Sequence, residues 1–76
     1  MVRAFVMVTT AAGEAEAVFS VVTALDAVRE AHVVAGTYDL IAEVDGDEVY
    51  DVLDAAASEI GHLDGVEETR TYVSLN

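Results

Sequence analysis

The sequence predicts a single α+β domain over residues 1–76: one antiparallel sheet with two helices on one face, in the order β-α-β-β-α-β. Three observations carry that prediction. Apolar residues alternate with period two from Val2 to Thr9 and from Leu40 to Val44. They recur at helical spacing from Glu14 to Leu25 and from Val49 to Ile60. Breaks bearing Gly and Asp separate these segments.

In the first segment Val2, Ala4, Val6 and Val8 share one face, while Phe5 and Met7 stand on the other. The first strand is therefore expected to be covered on both sides. Gly13 marks the loop that follows. From Glu14, the residues Ala15, Val18, Phe19, Val22 and Leu25 form a helical stripe, and Glu14 and Glu16 in its first turn complement the helix dipole. The segment from about Ala27 to Ala35 ends in His32-Val33-Val34 and reads as the second strand. Gly36-Thr37-Tyr38-Asp39 then breaks the pattern before Leu40, Ala42 and Val44 alternate with Ile41 and Glu43, which makes a hairpin of the second and third strands. Asp45-Gly46-Asp47 ends the third strand. Asp47 is the expected N-cap of a helix whose stripe is Val49, Val52, Leu53, Ala56 and Ile60, with Gly61 closing it. Val66 to Leu75, rich in Thr, Val and Tyr, reads as the fourth strand. This order is the split βαβ of the ferredoxin-like class, which covers one sheet face with helices and leaves the other bare. Phe5, Met7 and Ile41 are expected on the bare face. Exposing them is unfavourable by roughly 25 cal/mol per Å², so sheet-against-sheet association is expected.

Composition points the same way. A chain of 76 residues buries only about 60% of its unfolded surface and is marginal as a monomer. Small chains gain stability from disulfides, metals or oligomerisation. There is no Cys, and neither His32 nor His62 has the spacing of a zinc or iron site. Glu67, Glu68, Asp45, Asp47 and Glu48 do not match a calcium loop and are expected as solvated surface. No metal or other cofactor is expected, and a homo-oligomer is. No apolar run approaches the roughly 20 residues of a membrane span, and the N-terminus lacks the features of a signal peptide, so a cytoplasmic location is expected. Fifteen acidic residues face three arginines, Arg3, Arg29 and Arg70, with no lysine, for a net charge of −12. Such a surface repels nucleic-acid phosphates and anionic lipid, which excludes direct DNA binding by this chain alone. It suits a high-salt cytoplasm, where counterions screen self-repulsion, and a halophilic source is expected.

Ala4-Phe5-Val6-Met7-Val8, Gly36-Thr37-Tyr38-Asp39-Leu40 and Gly65-Val66-Glu67-Glu68-Thr69-Arg70-Thr71-Tyr72-Val73 together resemble the ligand-binding domain of the Lrp/AsnC transcription regulators, the RAM domain. The Gly-x-x-Asp turn is the most telling part. The resemblance covers nearly the whole chain but not the N-terminal helix-turn-helix that family members normally carry, so a stand-alone form is expected. It implies dimers with facing sheets, in the manner of a dimeric α/β-barrel, assembled into octamer or decamer rings. It further implies an amino-acid effector bound between dimers near the turn, and co-assembly with full-length Lrp/AsnC regulators. Loops at a subunit interface supply the fixed charges and backbone donors that a small zwitterion needs.

The candidate ligand-binding residues are Gly36, Tyr38, Asp39, Leu40, Thr69 and Thr71. Asp39 offers a carboxylate to a ligand ammonium group, although Asp in a turn also commonly bonds its own backbone. Gly36 serves backbone geometry or close approach of a ligand. Tyr38 either walls the crevice or packs at the interface. Thr69 and Thr71 share one strand face and offer hydroxyls to a ligand carboxylate, while Thr also favours strands for its shape alone. Two other classes share the fold. A small dimeric α+β-barrel enzyme of the monooxygenase or isomerase type would need a paired acid and base or a nucleophile, and none can be picked out, so no enzyme is expected. An ACT-like amino-acid-binding module is distinguished by a side-by-side dimer with one eight-stranded sheet.

Overall fold

The structure, a computed structural model describing residues 1–76, runs β1 (Val2–Thr10), α1 (Ala15–Val22), β2 (Val28–Val33), β3 (Leu40–Gly46), α2 (Val49–Asp54), a π-helical continuation of α2 (Ala55–Ile60) and β4 (Val66–Val73). The sheet order is β2-β3-β1-β4 and every neighbouring pair is antiparallel. This is the ferredoxin-like βαββαβ arrangement expected from the period changes.

Alternation decides which residues enter the core. Ala4, Val6 and Val8 of β1 and Leu40, Ala42 and Val44 of β3 are fully buried and pair across the sheet, Val6 opposite Ala42 and Val8 opposite Leu40. Val18 and Val22 of α1 and Val52, Ala56 and Ile60 of the second helix cover them. These side chains are small, which lets both helices sit close to the sheet. Gly65 shows how close: its φ is +92°, and a Cβ there would stand 3.0 Å from Val18 Cγ2 and 3.2 Å from Glu14 Cβ. Only glycine fits both the left-handed backbone and that approach.

Three local expectations differ from the structure. The N-cap of α2 is Glu48 rather than Asp47, because the spacing to Asp51 lets the Glu48 backbone N–H donate to the Asp51 carboxylate at 3.0 Å, one half of a capping box. Val49 and Leu53 are exposed instead of lining the buried stripe. Val52, Ala56 and Ile60 are buried as expected, and Ala55 at the start of the π-helical continuation joins them. Gly61 closes that helix as expected, as its C-cap, in a right-handed conformation with φ −61°. Leu25 lies beyond the end of α1 but still packs against the core.

Candidate functional site

At one end of the sheet, the turn between β2 and β3 is tied to β1 through Asp39. The Asp39 backbone N–H donates to the Val8 carbonyl at 2.9 Å, and its carbonyl accepts from the Val34 N–H at 2.9 Å. Its half-buried carboxylate accepts the Thr10 backbone N–H at 2.7 Å and the Thr10 hydroxyl at 3.2 Å. Thr10 sits where the β1–β4 register shifts, and the shift leaves its N–H free of the ladder to face Asp39. Sequence reading did not single out Thr10, since a bulge on a regular strand has no local signal. Both side-chain bonds converge on Oδ2, so Oδ1 remains available to another donor.

The other candidates divide around this turn. Gly36 is exposed, its φ is not left-handed, and a Cβ placed on it would meet nothing within 4 Å. The local backbone therefore does not demand a glycine there. Tyr38, beside Asp39, is half-buried. Leu40 and Thr69 both pair with Val8, on opposite sides of β1, which puts the turn and the start of β4 in one row across the sheet. Thr71 stands one step further on the same face, opposite Val6. The Leu40 side chain is fully buried in the core, so what this residue presents toward the turn is its backbone. Thr69 and Thr71 are half-buried on the helix-bearing side of β4. The sheet thus brings Asp39, Tyr38, Thr10 and Thr69 to one end and leaves Thr71 nearer the middle.

The sheet face away from the helices carries Phe5 and Met7 of β1, Ile41 of β3 and Tyr72 of β4, with Phe5 opposite Tyr72 and Met7 opposite Ile41. Phe5, Met7 and Ile41 stand where alternation put them and are half-buried; Tyr72 is 55% exposed. A four-membered charge cluster borders this apolar centre. Arg3 Nε lies 3.3 Å from Glu43 Oε2 and 3.4 Å from Asp45 Oδ1, while Arg29 reaches Glu43 Oε2 at 3.6 Å and Asp45 Oδ2 at 3.3 Å. His32 Nε2 and Glu30 Oε2 are 2.8 Å apart at the far edge. That hydrogen bond and the imidazole charge hold the Glu30 carboxyl below the usual carboxylate range. Arg70, opposite Met7, takes part in no ion pair. At the opposite end from Asp39, a shallow groove of about 540 Å³ lies between Val2, Arg3, Val49, Val73 and the chain termini. No group of three or more His, Cys, Asp or Glu side chains is arranged to hold a metal ion. No helix is long and apolar enough to cross a membrane.

Comparison with known proteins places this geometry in context. The crystal structure of FFRP-DM1 superposes with a TM-score of 0.92 at 35% identity, covering 99% of this chain and 100% of that one. The crystal structure of TTHA0845 from Thermus thermophilus matches with a TM-score of 0.93 at 32% identity, covering 100% and 95%. The transcriptional regulator NMB0573 of Neisseria meningitidis, solved as a complex with L-Met, matches with a TM-score of 0.84 at 17% identity, covering 99% of this chain and 50% of that one. At that identity the likeness is one of fold, and this chain spans about half of the regulator. No curated protein matches the chain. The family model described as the Lrp/AsnC ligand binding domain matches residues 3–76, from the first residues of β1 to the end of the chain, and this chain belongs to that family.

Proposed function

We propose that this chain is an effector-sensing and oligomerisation module of the Lrp/AsnC type, without catalytic activity of its own, that acts on transcription or metabolism through partner proteins in the cytoplasm. Two copies close their open sheet faces on one another, burying Phe5, Met7, Ile41 and Tyr72, and the dimers assemble further into octamer or decamer rings. The effector, a small zwitterion such as an amino acid, binds between dimers at the Asp39 turn. Asp39 Oδ1 accepts the ligand ammonium group, Tyr38 and the Leu40 backbone border the site, and the hydroxyls of Thr69 and Thr71 serve its carboxylate. DNA is reached by co-assembly with full-length Lrp/AsnC regulators, because net −12 opposes direct contact with phosphates. The same acidic, lysine-free surface supports a halophilic source.

The observation that carries the site is the combination of Gly36 and Asp39. Gly36 is a glycine its own backbone does not need, three positions from a carboxylate with an uncommitted oxygen. Close approach of something outside the chain accounts for both. NMB0573, solved with L-Met, is a relative in fold whose ligand is an amino acid. A thermal-shift screen against the twenty amino acids tests the reading, since binding stabilises by RT ln(1 + [L]/Kd), about 2.7 kcal/mol at a hundredfold excess over Kd. The expected result is a rise in melting temperature with one or a few amino acids that Gly36→Ala removes while leaving the unliganded melt unchanged. A rise that persists in Gly36→Ala and in Asp39→Asn places the ligand elsewhere.

A further inference from the structure

We infer that this chain assembles in two electrostatically distinct steps: pairing through the open sheet face proceeds at low ionic strength, whereas contact between pairs through the helix-bearing surface requires molar salt. The inference rests on the pairing and ring assembly proposed above and adds how ionic strength controls them.

Its basis is the partition of charge between the two surfaces. Arg3 and Arg70 lie on the open face by strand register, and Arg29 brings its guanidinium there by contacting Glu43 and Asp45. Those are all the arginines, and there is no lysine. Of the fifteen carboxylates, Glu30, Glu43, Asp45 and Glu68 share that face. Four anions against three cations leave the open face close to neutral, while the other eleven carboxylates stand on the helices, loops and sheet edges without one Arg or Lys among them.

Two open faces therefore meet with little net repulsion around an apolar centre, and Arg70, without a partner in its own chain, is free to take a carboxylate of the second copy. The outer surface of the resulting pair is different in kind, since both copies contribute carboxylates to it and no Arg or Lys. The radius of gyration of one chain is 11.2 Å, comparable with the Debye length of about 10 Å at 0.1 M salt and well above the roughly 3 Å at 1 M. At the lower salt carboxylates well beyond those directly apposed act across the contact between pairs; at the higher salt only directly apposed ones do. Once screened, the outer surface has something to associate with: Val21, Val33, Val49, Tyr50 and Leu53 are all exposed on it.

Sedimentation velocity of the full chain in KCl from about 0.1 M to about 3 M, with circular dichroism on the same samples, tests this against the triple variant Glu16→Gln, Glu59→Gln, Glu67→Gln. All three residues are exposed and take no part in the turn or the open face. The expected result is a folded dimer at the lowest salt and a larger assembly at high salt, with the midpoint of growth roughly twofold lower in KCl for the variant, because fewer charges need screening. A folded monomer throughout removes the proposed pairing and the inference with it. A folded dimer that never grows, a ring already complete at the lowest salt, or growth at the same midpoint in the variant overturns the inference and leaves the pairing standing. A chain unfolded at the lowest salt overturns it too, because the fold itself would then be the salt-controlled step.

Discussion

Replacing Asp39 with Asn separates what this residue does for the fold from what it does for a ligand. In the unliganded chain its carboxylate accepts two bonds from Thr10, the shorter at 2.7 Å from a backbone N–H. A hydrogen bond to a charged group contributes about 1.5–3 kcal/mol and a neutral one about 0.5–1.5. Asn keeps an acceptor oxygen of the same reach, so the substitution converts the first kind into the second, a loss of roughly 1–1.5 kcal/mol. Half-burial of the pair favours the lower end, about 1 kcal/mol. For a domain of this size that corresponds to a fall in Tm of roughly 4–8 °C. This is a larger cost than the fraction of a kcal/mol that an isolated turn aspartate at the surface suggests. The melt is followed by circular dichroism in molar KCl, where loss of one negative charge has little effect through self-repulsion, and at fixed protein concentration because oligomers melt concentration-dependently. A Tm within about 1 °C of wild type refutes the Thr10 bridge as a stabilising contact.

The remaining predictions concern the rest of the sheet. Gly65→Ala forces a Cβ into left-handed backbone 3.0 Å from Val18 Cγ2 and is expected to cost about 1–3 kcal/mol in denaturant unfolding, whereas Gly36→Ala stays within about 0.5 kcal/mol; equal effects would contradict the geometry of both. Met7→Asp places an unpaired carboxylate in the centre of the open face, opposite Ile41, so it leaves a folded monomer at concentrations where wild type sediments as a dimer. An unchanged sedimentation coefficient counts against pairing through this face. Glu30 titrates by NMR below the usual carboxylate range and returns to it in His32→Ala. Because its pKa is lowered in the fold, any stabilisation from the pair is present above the ordinary carboxylate pKa and lost as pH falls through the lowered value; identical titration in both proteins would show that His32 is not the cause.

The fold was legible because period-two and helical spacing are written in single residues. Val2 to Val8 and Leu40 to Val44 alternate cleanly, and the register pairs them as that alternation requires. Helix detail was less legible. Asp47 and Glu48 are both acidic, and only the three-residue spacing from Glu48 to Asp51 selects the cap. Of the second helix's stripe, Val52, Ala56 and Ile60 are buried as their spacing requires, whereas Val49 and Leu53 are apolar residues on the exposed side, and the π-helical stretch Ala55–Ile60 has no residue signature. The candidate site was legible as a turn motif, but its hydrogen bonding was not, because Thr10 reaches Asp39 across 29 residues by way of a bulge. The charge cluster on the open face was equally hidden: Arg3, Arg29, Glu43 and Asp45 meet only once three strands are in register.

That register is the larger consequence of the cluster. Apolar alternation punishes a strand that slips by one residue, since every side chain changes face, but it is blind to a slip of two. A two-residue slip of β2 along β3 would keep Val28 and Ala31 facing the core while displacing Arg29 by about 7 Å along the strand, so that it could no longer bridge Glu43 and Asp45 at the 3.3–3.6 Å observed. A shift of β1 by two residues that set Arg3 beyond its present partner Asp45 would likewise part it from Glu43. These four charges therefore act as a vernier for three strands, distinguishing alignments that the hydrophobic pattern treats as equal. They do so on a sheet in which one misaligned edge would deny a second copy a matching surface.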